Sequence, residues 1–231
     1  MKKISNILPT KNPVVIHSNL LVLGKKMLLD KKRLKKTFLE KFNKGLFVPS
    51  FNINKKKIIR FDKNENTMRG LTNLLIKEKK FKRIINPVHS YIYANYSLNR
   101  SNYKRYSFGK NSIFDFFTQK NFTWINLGAE NNAGYTIFHH AEELCKVKYR
   151  KYVSFKKSIM FKEKKISISY NYYSRKKKII YDFDRPVRDM TKYRIIKIIK
   201  INNQIISYGK CKEIVDFLCD RLIKDQKYLI K

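Results

Sequence analysis

The chain reads as a single α/β domain, a central mixed sheet flanked by helices, and three features lead there. Its opening quarter alternates a short apolar run, an amphipathic run and a second short apolar run, which is the order of a β-α-β unit. No Gly/Ser/Pro-rich linker and no internal repeat divides residues 1–231, so one domain is the economical organisation. Hydrophobic residues make up 43% of the sequence, enough for one sizeable core.

The elements follow in order. "NPVVIHSNLLVLG" (12–24) predicts a short apolar strand running into a turn. "DKKRLKKTFLEKF" (30–42) places Leu34, Phe38, Leu39 and Phe42 on one helical face. "KGLFVPSFNI" (44–53) predicts a second buried strand, closed by Pro49. "TMRGLTNLLIKEKKF" (67–81) predicts a helix, and "NFTWINLG" (121–128) a third short strand ended by Gly128. "TIFHHAEELC" (136–145) fits a strand, a turn or the first turns of a helix. "KKISISYNYYS" (164–174) and "KIIYDFDRP" (178–186) alternate apolar and polar residues as half-buried antiparallel strands do. A strand-like "YRIIKIIKI" (193–201) and an amphipathic helix "CKEIVDFLCDRLIKD" (211–225) complete the chain.

Composition narrows the setting. No apolar run approaches the roughly 18 to 20 residues that a membrane-spanning helix needs. The start "MKKISNILPTKNPVV" is basic but lacks an apolar core followed by small cleavage residues, so no secretory signal is expected. Cys145, Cys211 and Cys219 have neither CxxC spacing nor an even framework, which suits free thiols in a reducing cytoplasm. The net charge of +36 points toward anionic partners. A/T-rich coding accounts for it more plainly, since Lys, Ile, Asn, Tyr and Phe are plentiful, Gly and Pro are scarce, and the lysines are scattered.

The densest chemistry lies in "NNAGYTIFHHAEEL" (131–144), where Thr136, His139 and Glu142 are spaced three apart. On a helical turn such residues lie about 60° from one another, so the imidazole falls between the hydroxyl and the carboxylate. A carboxylate on one ring nitrogen fixes the tautomer and raises the basicity of the other, as a general base near pH 7 requires. The plainer reading is a satisfied histidine beside a solvated acidic face. Zinc is not expected, because the adjacent His139 and His140 point about 100° apart and no third ligand accompanies them. Two further groups could line a ligand. His17 and Ser18 end an apolar strand, where α/β folds open their crevice. Arg83, Pro87, His89 and Ser90 share a loop in which Arg83 could pair with a phosphate.

These signals occur together and in order: His17-Ser18-x-Leu20 running on to Gly24, "GLFVPSF", "MRGLTNLL", Arg83-x-x-x-Pro87-x-x-Ser90, Gly109-x-x-Ser112, "WINLG", and Thr136-x-x-His139-x-Ala141-Glu142. In this the chain resembles the aminoglycoside 3-N-acetyltransferase, or antibiotic N-acetyltransferase, family. The resemblance runs from Val14 to Glu143 and more loosely to the end. It implies acetyl-CoA as co-substrate, no metal, and an amine acceptor on an aminoglycoside or amino sugar. It makes His139 the base, Glu142 its orienting partner and Thr136 a neighbour of the reacting centre. His17, Ser18, Arg83 and Ser90 would line the coenzyme and acyl site, with Ser112 in the same cleft. Where the family usually carries R-S-x-H-P, this chain has Arg83-Ile84-Ile85-Asn86-Pro87. Only the free amine attacks a thioester, so transfer within a ternary complex, without an acyl-enzyme, is expected. Because only 17 acidic residues face 53 basic ones, an amino sugar on a nucleotide or lipid diphosphate suits the charge better than a polycationic drug. The rival reading is a basic nucleic-acid-binding or ribosome-associated protein, with the tyrosines of "YNYYSRKKKIIYDF" stacking on bases.

Overall fold

The computed structural model describes residues 8–20, 30–53, 57–68, 70–176, 179–201 and 204–231. The basic start up to Ile7, the Leu21–Gly24 part of the His17 motif, Arg69 and Lys178 therefore lie outside the described residues. In chain order the elements are β1 (Val14–Ser18), α1 (Lys31–Lys41), β2 (Leu46–Pro49), β3 (Ile58–Arg60), α2 (Leu71–Leu75), β4 (Lys82–Arg83), β5 (Tyr91–Ala94), α3 (Ile113–Gln119), β6 (Thr123–Leu127), α4 (Asn131–Gly134), α5 (Phe138–Leu144), β7 (Arg150–Phe161), β8 (Lys164–Arg175), α6 (Asp184–Lys192), β9 (Ile196–Ile201), β10 (Gln204–Lys210) and α7 (Cys211–Lys224).

The expected β-α-β start is present. β1 and β2 are parallel, with Val14 opposite Leu46, and α1 connects them. Asp30 begins α1 by accepting the Arg33 N–H at 2.9 Å, one of the orphan donors of a first turn. Leu34 and Phe38 are buried from one face of that helix. The main sheet is mixed, in the order β4-β5-β2-β1-β6-β10-β9, and β1 and β6 run parallel at its centre. A second sheet, β3-β7-β8, is dominated by the twelve-residue hairpin strands β7 and β8. No helix among the described residues is long and apolar enough to cross a membrane.

Two predicted elements come out differently. The helix expected over 67–81 is confined to Leu71–Leu75. Once Leu71 and Leu75 are buried, Lys77-Glu78-Lys79-Lys80 offers no apolar side chain to hold another turn, and Glu78 is drawn instead to Lys35 at 2.5 Å. The strand expected over 178–186 reduces to one bridge, Tyr181 with Ile230, before α6 begins at Asp184. Pro186 lies in the first turn of α6, where its missing N–H has no helical partner to lose. The three cysteines are free thiols, Cys211 buried and the others half-buried.

The parallel centre determines where the segment leading to His139 lies. After β6 the chain turns at Gly128 (φ 71°), and the buried Asn126 side chain holds the turn by donating to Ala129 O (3.0 Å) and accepting from Ala129 N (2.9 Å). Trp124 Nε1 then donates to Gly134 O at 2.8 Å, laying residues 129–136 across the ends of β1 and β6. A Cβ on Gly134 would stand 2.2 Å from Asn126 Nδ2 and 2.4 Å from its Cγ. Gly134→Ala is accordingly expected to cost about 1 to 3 kcal/mol by overpacking and to lower the melting temperature by several degrees. A melting temperature equal to wild type would show that the Asn126 brace yields.

Candidate active site

α5 is only seven residues long, yet it carries both central groups three positions apart. The backbone N–H of His139 donates to Thr136 O at 3.2 Å, so the half-buried Thr136 starts the turn that presents the imidazole. His139 Nδ1 lies 2.6 Å from Glu142 Oε2. The histidine side chain keeps 17% exposure and the carboxylate none, so a ligand can reach the first and not the second.

Groups that no motif indicated complete the carboxylate's surroundings. Tyr149 donates to Glu142 Oε1 at 2.8 Å, and Arg150 Nε forms an ion pair with Oε2 at 2.7 Å. Arg150 also donates from Nη1 to Tyr173 O and from Nη2 to Tyr181 Oη, both at 2.5 Å. Its Nη2 is also 2.7 Å from His139 Nδ1. That nitrogen cannot both accept from Arg150 and donate to Glu142. A guanidinium only donates, so the two contacts compete for Nδ1; the shorter, to the buried carboxylate at 2.6 Å, favours the Nδ1–H tautomer, and Nη2 then keeps its bond to the Tyr181 oxygen. Nε2 then carries the lone pair, on a histidine that lines a cavity.

Electrostatics set the charge state of the pair. Burial pushes the His139 pKa down, Arg150 pushes it further down, and Glu142 opposes both, so the ring is neutral at pH 7. Burial alone would raise the Glu142 pKa, but His139, Arg150 and Tyr149 together hold it below the usual carboxylate value. The aromatic rings of Phe108, Tyr181 and Phe183 lie 5.2–5.5 Å from the His139 ring and fix its plane. The cavity is about 610 Å³, and its wall includes His139, Arg150, Asn132, Tyr172, Arg175 and Tyr181.

The remaining sequence candidates have other neighbours. His17 is buried, stacks on Trp124 at 4.5 Å, and places Nδ1 3.3 Å from Ala133 O and Nε2 3.4 Å from the Tyr91 hydroxyl. It thus underpins the segment that leads to Thr136. Ser18 ends β1, half-buried, where the parallel strands open. Arg83 and Ser90 come together, but with each other: Arg83 Nε donates to Ser90 Oγ at 3.1 Å and Nη2 to Ser50 O at 3.0 Å, with Phe61 3.6 Å below the guanidinium. Both are buried. Ser112 is buried and caps α3, accepting from Asp115 N at 3.2 Å and donating to Gly109 O at 2.7 Å. The Ser-x-x-Asp pattern of "SIFD" is the signal for that cap. Cys145 closes α5, its Sγ 3.9 Å from Cys219 O on α7. Tyr170 and Tyr173 are buried, so they present no stacking face to a nucleic acid.

Comparison with known proteins bears on the family and the fold. The profile of a family described as aminoglycoside 3-N-acetyltransferase matches residues 50–223. No curated protein sequence matches the chain. Among solved structures, YokD of Bacillus subtilis superposes with a TM-score of 0.76 at 15% identity, over 98% of this chain and 92% of that one. AAC-IIIb in binary complex with CoASH gives 0.72 at 12%, over 94% and 92%. AAC-VIa bound to sisomicin gives 0.73 at 13%, over 96% and 94%. At such identities the likeness is one of fold.

Proposed function

The chain belongs to the aminoglycoside 3-N-acetyltransferase family, and from that premise we propose that it moves an acetyl group from acetyl-CoA directly to the amine of an aminoglycoside or amino sugar, with His139 as general base. One observation carries the reading: the 2.6 Å contact between His139 Nδ1 and the buried Glu142 carboxylate, on the wall of a cavity. In the proposed step the amine nitrogen attacks the thioester carbonyl while His139 Nε2 takes a proton from it. The carbon–sulfur bond breaks, and the departing thiolate of CoA takes its proton from the His139 imidazolium, which returns the base to its starting form. Glu142 keeps the ring in the Nδ1–H tautomer and offsets the imidazolium charge that develops. Thr136, one turn earlier, is the residue we place beside the reacting centre, because its carbonyl accepts the His139 N–H.

The coenzyme's fit is supported by shape and charge. A cavity of about 610 Å³ accommodates an acyl thioester end and a small acceptor, and the basic surface suits the coenzyme's phosphates. Ser18, at the open end of β1, is the residue we place on the coenzyme side. The cysteine nearest in sequence to the dyad, Cys145, packs against α7, which favours transfer without an acyl-enzyme.

Acetyl-CoA is expected to raise the melting temperature saturably at moderate salt, and thiol release should depend on an added amine. Tight RNA binding with a steep salt slope and no coenzyme effect would instead establish the nucleic-acid reading. Glu142→Gln tests the dyad. Without the carboxylate's charge Arg150 is unopposed and the His139 pKa falls further, so the acid limb of kcat/KM moves to lower pH. A weaker, unoriented base lowers the plateau about 10- to 100-fold. An unchanged pH profile would refute the orienting role.

A further inference from the structure

Resting on the transfer reaction above, we propose that the acceptor amine carries a phosphate close to its nitrogen, as an amino-sugar phosphate does, and that Arg175 is the residue that selects it. The wall of the cavity beside His139 includes two arginines and, among the described residues, no Asp or Glu. Arg150 is neutralised by Glu142. Arg175, exposed at the end of β8, has no carboxylate within ion-pair distance among the described residues. The uncompensated charge beside the base is therefore positive. A polycationic acceptor needs carboxylates to hold its ammonium groups, and Asp184, which accepts the Asn131 amide at 2.7 Å, is not part of the cavity wall.

Distance separates an acceptor's phosphate from those of the coenzyme. The Tyr181 ring lies 5.2 Å from the His139 ring, and the Arg175 guanidinium lies 6.0 Å from the Tyr181 ring. Arg175 thus shares the cavity wall with the base, with the Tyr181 ring between them. The phosphates of CoA lie a full pantetheine arm from its sulfur. Tyr172 and Tyr181 add flat apolar faces to the same wall, against which a sugar ring can pack while the planar guanidinium grips a phosphate through paired N–H donors.

The test is acetyl transfer by the full chain, followed by thiol release, to glucosamine, glucosamine 1-phosphate, glucosamine 6-phosphate and kanamycin, in wild type, Arg175→Gln and Arg175→Lys. At least one phosphorylated sugar should exceed glucosamine in kcat/KM by about 10- to 100-fold, the usual worth of a charge-assisted contact. Arg175→Gln should bring that ratio close to one with the KM for acetyl-CoA unchanged, and Arg175→Lys should restore part of it. Equal rates with and without phosphate, or a preference for kanamycin, would overturn the proposal. So would an Arg175→Gln protein whose defect lies in the acetyl-CoA KM. If no amine supports thiol release, the transferase reading fails. The anion site then stands only if glucosamine phosphates stabilise wild type saturably and Arg175→Gln abolishes that shift, and it falls if they do not.

Discussion

His139→Ala is expected to lower turnover by about 10²- to 10⁴-fold, the contribution of a placed general base, while acetyl-CoA stabilises the variant as it does the wild type. The separation follows from the geometry. The imidazole touches Glu142 and Arg150 through one nitrogen and lines the cavity with the rest of its ring, so removing it takes away the proton acceptor. Glu142 keeps Tyr149 and Arg150, so the buried carboxylate is not left uncompensated and the fold survives. What remains is positioning of two substrates in one cavity, which can supply roughly 7 to 11 kcal/mol by itself and explains why the loss is large but not total. Raising the pH should recover part of the rate, because more of the amine then arrives already deprotonated. Turnover within a factor of two of wild type at pH 7 would remove His139 from the mechanism. A lost acetyl-CoA shift would make it a binding residue.

The same site shows which physics a sequence exposes. His139 and Glu142 were legible because their contact is local, three residues along one helical turn. The β1-α1-β2 start was legible for a similar reason: each element declares its period within a dozen residues. Arg150 was not legible. It is one of 53 basic residues, and only the pairing of β7 with β8 and the bridge at Tyr181 bring Tyr173 and Tyr181 to its guanidinium. β7 itself hides because Lys157 occupies a buried position, with Nζ 3.3 Å from Asn52 O, which spoils the alternation that marks a strand. Arg83 and Ser90 stand where the family resemblance put a ligand site, yet their partners are each other, across their own loop, and Ser50 and Phe61, supplied by distant chain. Charge shows the reverse case. The global +36 says little about the acceptor, whereas one guanidinium on the His139 cavity wall, without a carboxylate partner among the described residues, says a good deal.

Below about pH 6.5 the fold should lose stability steeply, well before its carboxylates titrate. His17, His89 and His140 are buried, and burial holds each at a pKa of about 3 against an ordinary 6.5. The surroundings fit neutral rings: Gly109 N–H donates to His140 Nδ1 at 3.0 Å, His89 Nδ1 meets the Tyr170 hydroxyl at 3.1 Å, and His17 stacks on Trp124. A depressed folded pKa means that the unfolded chain binds the proton first. The stability each histidine contributes is therefore complete above pH 6.5 and is withdrawn as pH falls toward 3. Each group then costs about 1.4 kcal/mol per pH unit below roughly pH 6, and three together about 4 kcal/mol per unit. A domain of ordinary stability, about 5 to 15 kcal/mol, would approach its unfolding midpoint between about pH 5 and about pH 3. Glu142 adds to the loss only below about pH 4.5, where its own depressed pKa begins to count. Urea midpoints at pH 7, 6 and 5 and constant ionic strength measure the slope. His140→Gln, which keeps an acceptor for Gly109 N–H but cannot titrate, should reduce that slope by about a third. A midpoint that stays flat from pH 7 to pH 5 would mean that the interior admits protonated rings, and the neutral imidazole on which His139 depends would lose its closest parallels in the same core.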